Sequence, residues 1–470
     1  MATIYIETHG CQMNEADSQD IVRHATAAGY TVTADPKAAS VVVLNTCTVR
    51  DNAETRAYGR MQHFHALKLA DPTIKVVVCG CLAEQDRDRL AARAPHVDAV
   101  FGTSEIARLG ETLASWRDGF GDGEEYADER ALIEHLGGTE ADGITDEFSH
   151  LRAFVTAQRG CSYYCTFCIV PYVRGRFDHR PMEAILDEVR AKLAGGAREV
   201  MLVGQTVNAW RDPIDGRDFG DLCRAVAALD GLERLSFVSP HPKDFTEPMI
   251  ATLAQIPQMS TRVHLPLQSA SDPMLRRMNR KYTIAQYMER VQAFRRHMPH
   301  WAITTDIIVG FPGETEDDFR ATLDLAESGL FAQAYMFVYS PRRGTPASHF
   351  EQVPFEIANE RFRRLAAAQD AACRRYHDRK IGTVVRALIQ GPSKKYPTKL
   401  AGKTADNVTV IAPMPPEYDA MLYASEPWID VRVEAAFVWG CTGTLVGRAV
   451  RMSGEATPVQ RAVLDLIAAR

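Results

Sequence analysis

Ten residues, Arg159-Gly160-Cys161-Ser162-Tyr163-Tyr164-Cys165-Thr166-Phe167-Cys168, constrain this chain more than any other stretch. They set three cysteines at C-x3-C-x2-C between Gly160 and Pro171, so the cysteines belong to a loop. An odd number of thiols leaves one unpaired, which argues against a disulfide framework. Three is also one short of the four ligands of a structural zinc site. Soft thiolates select zinc, copper(I) or iron–sulfur clusters. Three cysteines on a 4Fe–4S cubane leave its fourth iron open to another molecule; three cysteines meeting a distant fourth ligand at zinc is the plainer alternative.

The pattern before this loop alternates strands and helices. Strands are expected at Thr3–Thr8, Val41–Thr46, Lys75–Gly80 and Asp98–Gly102. Helices are expected at Asn14–Gly29, up to about Ala70, from Glu84, and after Gly102. This is an α/β pattern, a doubly wound parallel sheet over residues 1–117. Cys11, Cys47 and Cys81 each follow a strand. Ligands of open α/β sheets gather beyond the carboxyl ends of strands, so these three can meet at one edge as a second metal-ligating set. Cys79 lies within a strand and is expected in the core.

Residues 118–150 carry eleven acids against one base, Arg130, and read as an acidic linker. Over residues 151–376, strands are expected at Leu151–Gln158, Glu199–Gly204, Glu233–Ser239, Thr261–Leu265, Ala302–Val309 and Ala334–Tyr339. Six parallel strands make a partial (βα)6 barrel, with its reactive groups at the strands' C-terminal ends. Beyond Lys380 the segments shorten to Thr383–Ile389, Val408–Ile411, Ile429–Val433 and Thr444–Val446, a small β-barrel over 380–450. Residues 451–470 read as a helical tail.

The net charge of −6 does not announce a nucleic-acid partner, yet nine bases against one acid fall between Arg374 and Lys403. A small barrel with a basic face suits RNA. The absence of a long apolar run argues against a membrane span. Free cysteines, with no basic-then-apolar leader before Thr3, lead us to expect a reducing cytoplasm.

Together these motifs resemble the radical-SAM methylthiotransferases, from residue 2 to about 450. The resemblance implies a SAM-binding 4Fe–4S cluster on Cys161, Cys165 and Cys168, and an auxiliary 4Fe–4S cluster on Cys11, Cys47 and Cys81. It also implies a C-terminal RNA-binding TRAM domain, carried by Gly391-Pro392-Ser393-Lys394-Lys395 and Gly402-Lys403-Thr404-Ala405-Asp406-Asn407. In such enzymes an electron from the first cluster splits SAM into methionine and a 5′-deoxyadenosyl radical. Phe167, Gly204, Gln205, Asn208, Ser239, His241, Gln268, Asp306 and Gly310 are then expected at SAM, and Arg174, Arg176, Lys394, Lys395 and Lys403 at RNA.

Three stretches resemble the branch that modifies N6-isopentenyladenosine beside the tRNA anticodon: Gly10-Cys11-Gln12-Met13-Asn14, Asn45-Thr46-Cys47-Thr48-Val49-Arg50 and Cys168–Arg176. Sister branches carry Lys-Val-Asn or Pro-Lys-Asn after the first cysteine and act on threonylcarbamoyladenosine or a ribosomal protein. The implied partners are tRNA, an electron donor of flavodoxin or ferredoxin type and a sulfur source. A non-catalytic, metal-containing RNA-binding protein is the rival from another class. The sequence departs from the family at Phe177-Asp178-His179-Arg180, Thr206, Ala270 and the Pro-rich loop Pro413–Pro427, none of which is expected to touch a cluster ligand.

Overall fold

Val41-Val42-Val43-Leu44 and Val76-Val77-Val78 are unbroken apolar runs, as strands covered on both faces require. The computed structural model describes residues 2–48, 51–117, 151–393, 395–416, 423 and 426–446. In it the runs lie in β3 (Val41–Thr46) and β4 (Lys75–Gly80), central in a sheet with β1 (Thr3–Thr8), β2 (Thr31–Val32) and β5 (Ala99–Phe101). All pairings are parallel, in the order β2-β1-β3-β4-β5. Side chains of a strand alternate between faces. Val41 and Val43 therefore pack with Ile21, Val22, Leu109 and Leu113 from α1 (Gln12–Ala27) and α5 (Ile106–Arg117). Val42 and Leu44 pack on the other face with Met61 and Phe64 from α2 (Asp51–Ala70). Cys79 is buried in the first of these cores.

The helix expected from Glu84 begins at Cys81 and divides at Asp86 into α3 (Cys81–Gln85) and α4 (Arg87–Arg93). The short edge strand β2 was not expected; two residues are too few to show a period.

The six expected barrel strands form, but as two parallel triplets. One is β6 (Arg152–Thr156), β9 (Glu199–Val203) and β10 (Arg234–Phe237); the other is β11 (Arg262–His264), β12 (Ala302–Val309) and β13 (Gln333–Val338). Between them Leu235 bridges to Met259, through Leu235 N–H to Gln258 O and Ser260 N–H to Leu235 O, both 2.8 Å. Gln158 leaves the first expected strand and, with Arg159 in β7, pairs antiparallel with Asp178–His179, β8. This small hairpin frames the C-x3-C-x2-C loop.

The C-terminal strands close into a five-stranded barrel, β14-β15-β16-β18-β17. Their spans are Val384–Pro392, Lys399–Thr404, Thr409–Pro413, Trp428–Phe437 and Gly440–Leu445 for β14 to β18 in order. β15 was not expected, since Lys-Leu-Ala-Gly-Lys-Thr has a single β-branched residue, Thr404; closure and the Leu400 contact with the barrel core hold it. This barrel docks under the amino ends of the half-barrel strands. Arg234 donates to the carbonyls of Lys403 and Thr404 at 3.1 and 3.2 Å and lies over the Trp428 ring. The acidic linker 118–150, the tail 451–470, Lys394 and most of the loop 417–425 lie outside the described residues.

Candidate active site

The carboxyl edge of the N-terminal sheet gathers three cysteines because two glycines let its loops close. Gly80 ends β4 at φ +95°, ψ −159°, a region only glycine occupies readily. A Cβ there would lie 2.6 Å from Asn45 Oδ1 and 2.9 Å from Thr46 N. At Gly10 a Cβ would lie 2.9 Å from Cys47 Cβ. Two asparagines then stitch the loops. Asn14 Nδ2 donates to Asn45 Oδ1 and Thr46 O, at 3.0 and 2.9 Å, and Asn45 Nδ2 donates to Asn14 O and Ser18 Oγ, at 2.8 and 2.9 Å. Cys11 occupies the N-cap position of α1, and its thiol donates to Asn14 Oδ1 at 3.4 Å.

The C-x3-C-x2-C loop is held with equal care. Cys161 N–H donates to Gly175 O at 3.0 Å, and Gly160 N–H donates to Gln205 Oε1 at 2.8 Å. Thr166 N–H and Oγ1 bond the carbonyls of Met278 and Arg277, and Asn279 Nδ2 bonds those of Tyr163 and Tyr164. Arg280 places Nη1 3.4 Å from Cys165 Sγ, its guanidinium over Tyr282. Burial opposes the charge of Arg280, but Tyr282 and Cys165 outweigh it and keep the group protonated. Burial pushes the Cys168 thiol up to about 12 and the Cys81 thiol up to about 11, Arg174 partly offsetting the rise at Cys81.

Both cysteine sets suit a thiolate-bound cluster. All six are free thiols, and in each set an arginine donates to a sulfur, the arrangement that steadies an anionic metal–thiolate centre. Among the described residues, no three His, Cys, Asp or Glu side chains close around a single ion.

The N-terminal sheet sits across the carboxyl end of the half-barrel. Met13 and Ala16 of α1 pack with Phe154, Met201 and Val203. Asp17 pairs with Arg159 and, at 2.8 Å, with Arg174; Thr103 Oγ1 donates to Val173 O at 2.6 Å. A cavity of about 1780 Å³ follows. Cys11, Cys47 and Cys168 line it at one end, and Lys403 and Trp439 of the small barrel line it at the other. Between them it passes His264, Asp306, Tyr335 and Phe337 on the inner face of the second triplet.

The residues expected at SAM divide. Phe167, Ser239, Gln268 and Asp306 are on the cavity wall. Gln205 braces Gly160, as above. Four expectations are corrected. Asn208 spends both amide atoms on the His241 backbone, at 3.0 and 2.7 Å. Gly204 backs onto Gln158, and Gly310 packs against Ala358 of the helix Phe355–Asp378. His241 is buried between Tyr163 and Tyr282, away from the wall, and burial keeps its ring neutral.

Of the residues expected at RNA, Arg176 and Lys395 are exposed, and Lys403 is half-buried on the cavity. Arg174 is a correction: its side chain is 3% exposed and is spent on Asp17 and Cys81, so it offers RNA no charge. Thr206 is another. It holds φ +64° and brings Oγ1 to 3.4 Å from Cys161 Sγ, so one departure from the family does touch an expected ligand. Asp17 and Arg280 were missed. The signal for Asp17 was legible: Asn14, Asp17 and Ser18 put polar groups on the helical face that should be apolar. Nothing in the sequence joins Arg280 to Cys165.

Residues 3–102 match the profile of the uncharacterized protein family UPF0004, and residues 155–326 match that of the radical SAM superfamily. A tRNA-2-methylthio-N(6)-dimethylallyladenosine synthase from Janthinobacterium is 38% identical over 452 residues, covering 94% of this chain and 98% of its own. The Streptomyces coelicolor protein of the same name is 42% identical over 416 residues, 86% and 80% of the two chains. Among solved structures, the radical SAM methyltransferase TsrM from Kitasatospora setae, with tryptophan and a SAM analogue bound, superposes with a TM-score of 0.53. It covers 77% of this chain and 76% of its own at 16% identity, a likeness of fold alone. On two domain profiles and relatives aligned over nearly the whole chain, this protein belongs to the radical SAM family of tRNA-2-methylthio-N(6)-dimethylallyladenosine synthases.

Proposed function

We propose that this protein places a methylthio group on carbon 2 of N6-isopentenyladenosine at position 37 of tRNA, beside the anticodon. The observation that carries the reading is the cavity shared by the two cysteine sets, with Cys11 and Cys47 from one and Cys168 from the other. Chemistry that draws on both sets needs them to face one substrate-sized space. Carbon 2 of adenine bears an unactivated C–H bond that side-chain acids and bases of ordinary pKa do not open. Two 4Fe–4S clusters and SAM, when bound, supply one-electron cleavage of SAM and the sulfur that is transferred.

In this reading Cys161, Cys165 and Cys168 hold the SAM cluster, and Cys11, Cys47 and Cys81 hold the second. Phe167, Ser239, Gln268 and Asp306 orient SAM from the wall, while Gln205 and Arg280 fix the loop that carries the first cluster. Tyr335 and Phe337, 38% and 43% exposed, give the cavity the apolar surface an isopentenyl group needs. Lys403, Lys395 and Arg176 meet phosphates, and Trp439, 52% exposed, offers a face for base stacking. A flavodoxin- or ferredoxin-type donor and a sulfur source complete the cycle in the cytoplasm. No helix among the described residues is long and apolar enough to cross a membrane.

Nucleoside mass spectrometry after anaerobic reaction of the reconstituted protein tests this, with tRNA carrying isopentenyladenosine set beside tRNA carrying threonylcarbamoyladenosine. A methylthio adduct on the first alone is expected. An adduct on the second alone would move the chain to the sister branch, and SAM cleavage without either adduct would overturn the assignment.

A further inference from the structure

Arg174 lies six residues beyond Cys168, yet its guanidinium ends in the other cysteine set. The intervening chain is Ile169 and the single-turn helix α6, Val170–Val173, which carries it across the junction. Ile169 and Val173 pack directly on Cys81. Arg174 Nε donates to Cys81 Sγ at 3.3 Å, and Nη2 donates to Asp17 Oδ2 at 2.8 Å. The Arg174 and Asp17 side chains are only 3% and 1% exposed. The N-terminal sheet thus supplies a buried carboxylate beside a cysteine sulfur, and the half-barrel supplies the cation between them.

We propose that Arg174 is a positioning residue by which the half-barrel completes the Cys11, Cys47 and Cys81 site, orienting Cys81 and raising the electron affinity of the cluster held there. The inference rests on the reading of these cysteines as ligands of a second cluster. A hydrogen bond to a ligating sulfur and a nearby positive charge both favour the reduced, more negative form of an iron–sulfur centre. Asp17 acts on the same sulfur with the opposite sign. A residue that merely docked the two units would make no signed prediction, because losing either member of the Arg174–Asp17 pair would loosen the same contact.

The test uses the full-length variant Cys161→Ala/Cys165→Ala/Cys168→Ala, which keeps only the second site, loaded with iron and sulfide. Its reduction is followed by electron paramagnetic resonance during a redox titration. Adding Arg174→Gln should weaken the one-electron reduction equilibrium about tenfold, a fall of about 59 mV. Asp17→Asn should move the potential upward, and Arg174→Lys should keep more of the parent value than Arg174→Gln. Unchanged potentials at full iron content, or shifts of one sign in both variants, would overturn the proposal. Should Arg174→Gln fail to hold iron, Arg174→Lys and Asp17→Asn still report the sign. A parent variant that binds no cluster would sink both the ligand assignment and this inference. Potentials that shift as expected, beside a wild-type protein that makes no methylthio nucleoside, would sink the proposed reaction alone.

Discussion

Replacing Gly80 with alanine should damage the N-terminal cysteine set without touching a cysteine. Gly80 holds φ +95°, ψ −159°. A non-glycine residue there costs about 1–3 kcal/mol in backbone strain. The added Cβ would also stand 2.6 Å from Asn45 Oδ1 and 2.9 Å from Thr46 N, at the strand end that carries Cys47. Overpacking of this kind costs about 1–3 kcal/mol more, so a loss of about 2–6 kcal/mol is expected. Relief by parting β3 and β4 would move Cys81 away from Cys47. Gly59 is the control, since it lies in α2 with nothing within 4 Å of its added Cβ. Alanine there should stabilise by about 1 kcal/mol or less through helix propensity. Urea denaturation of the metal-free proteins, with iron content after reconstitution, separates the two effects. Gly80→Ala with wild-type stability and full iron would refute the claim that this close approach shapes the site.

Arg280→Ala removes the donor to Cys165 and should cut SAM cleavage about 10–100-fold while the second cluster's iron remains; unchanged cleavage would show the contact to be idle. Trp439→Ala should weaken tRNA binding by about 1–3 kcal/mol and leave tRNA-independent SAM cleavage unchanged, as read by filter binding beside an adenosine assay. Glu7 is half-buried, which would raise its pKa, but hydrogen bonds from His9 and Arg60 hold it down at about 2. A carboxylate depressed in the folded state stabilises above its unfolded pKa, so this contribution fades as pH falls from about 4.5 to about 2. Glu7→Gln should flatten that part of the stability curve, and an unaltered acid limb would contradict the ion pair.

The cysteine spacing and the two kinds of periodicity were legible in the chain alone. A C-x3-C-x2-C loop, valine runs covered on both faces, and short polar-flanked strands are local patterns, and local patterns survive without knowledge of neighbours. From them followed the parallel sheet, the six barrel strands and the small C-terminal barrel. The tertiary structure decided what depends on residues distant in sequence. It split the barrel into two triplets, buried Arg174 against Asp17, moved Asn208 and Gly310 behind the cavity wall, and brought Arg280 to Cys165 across 115 residues. A side chain's reach and burial depend on which surfaces the fold presses together, and no period or spacing along the chain encodes that.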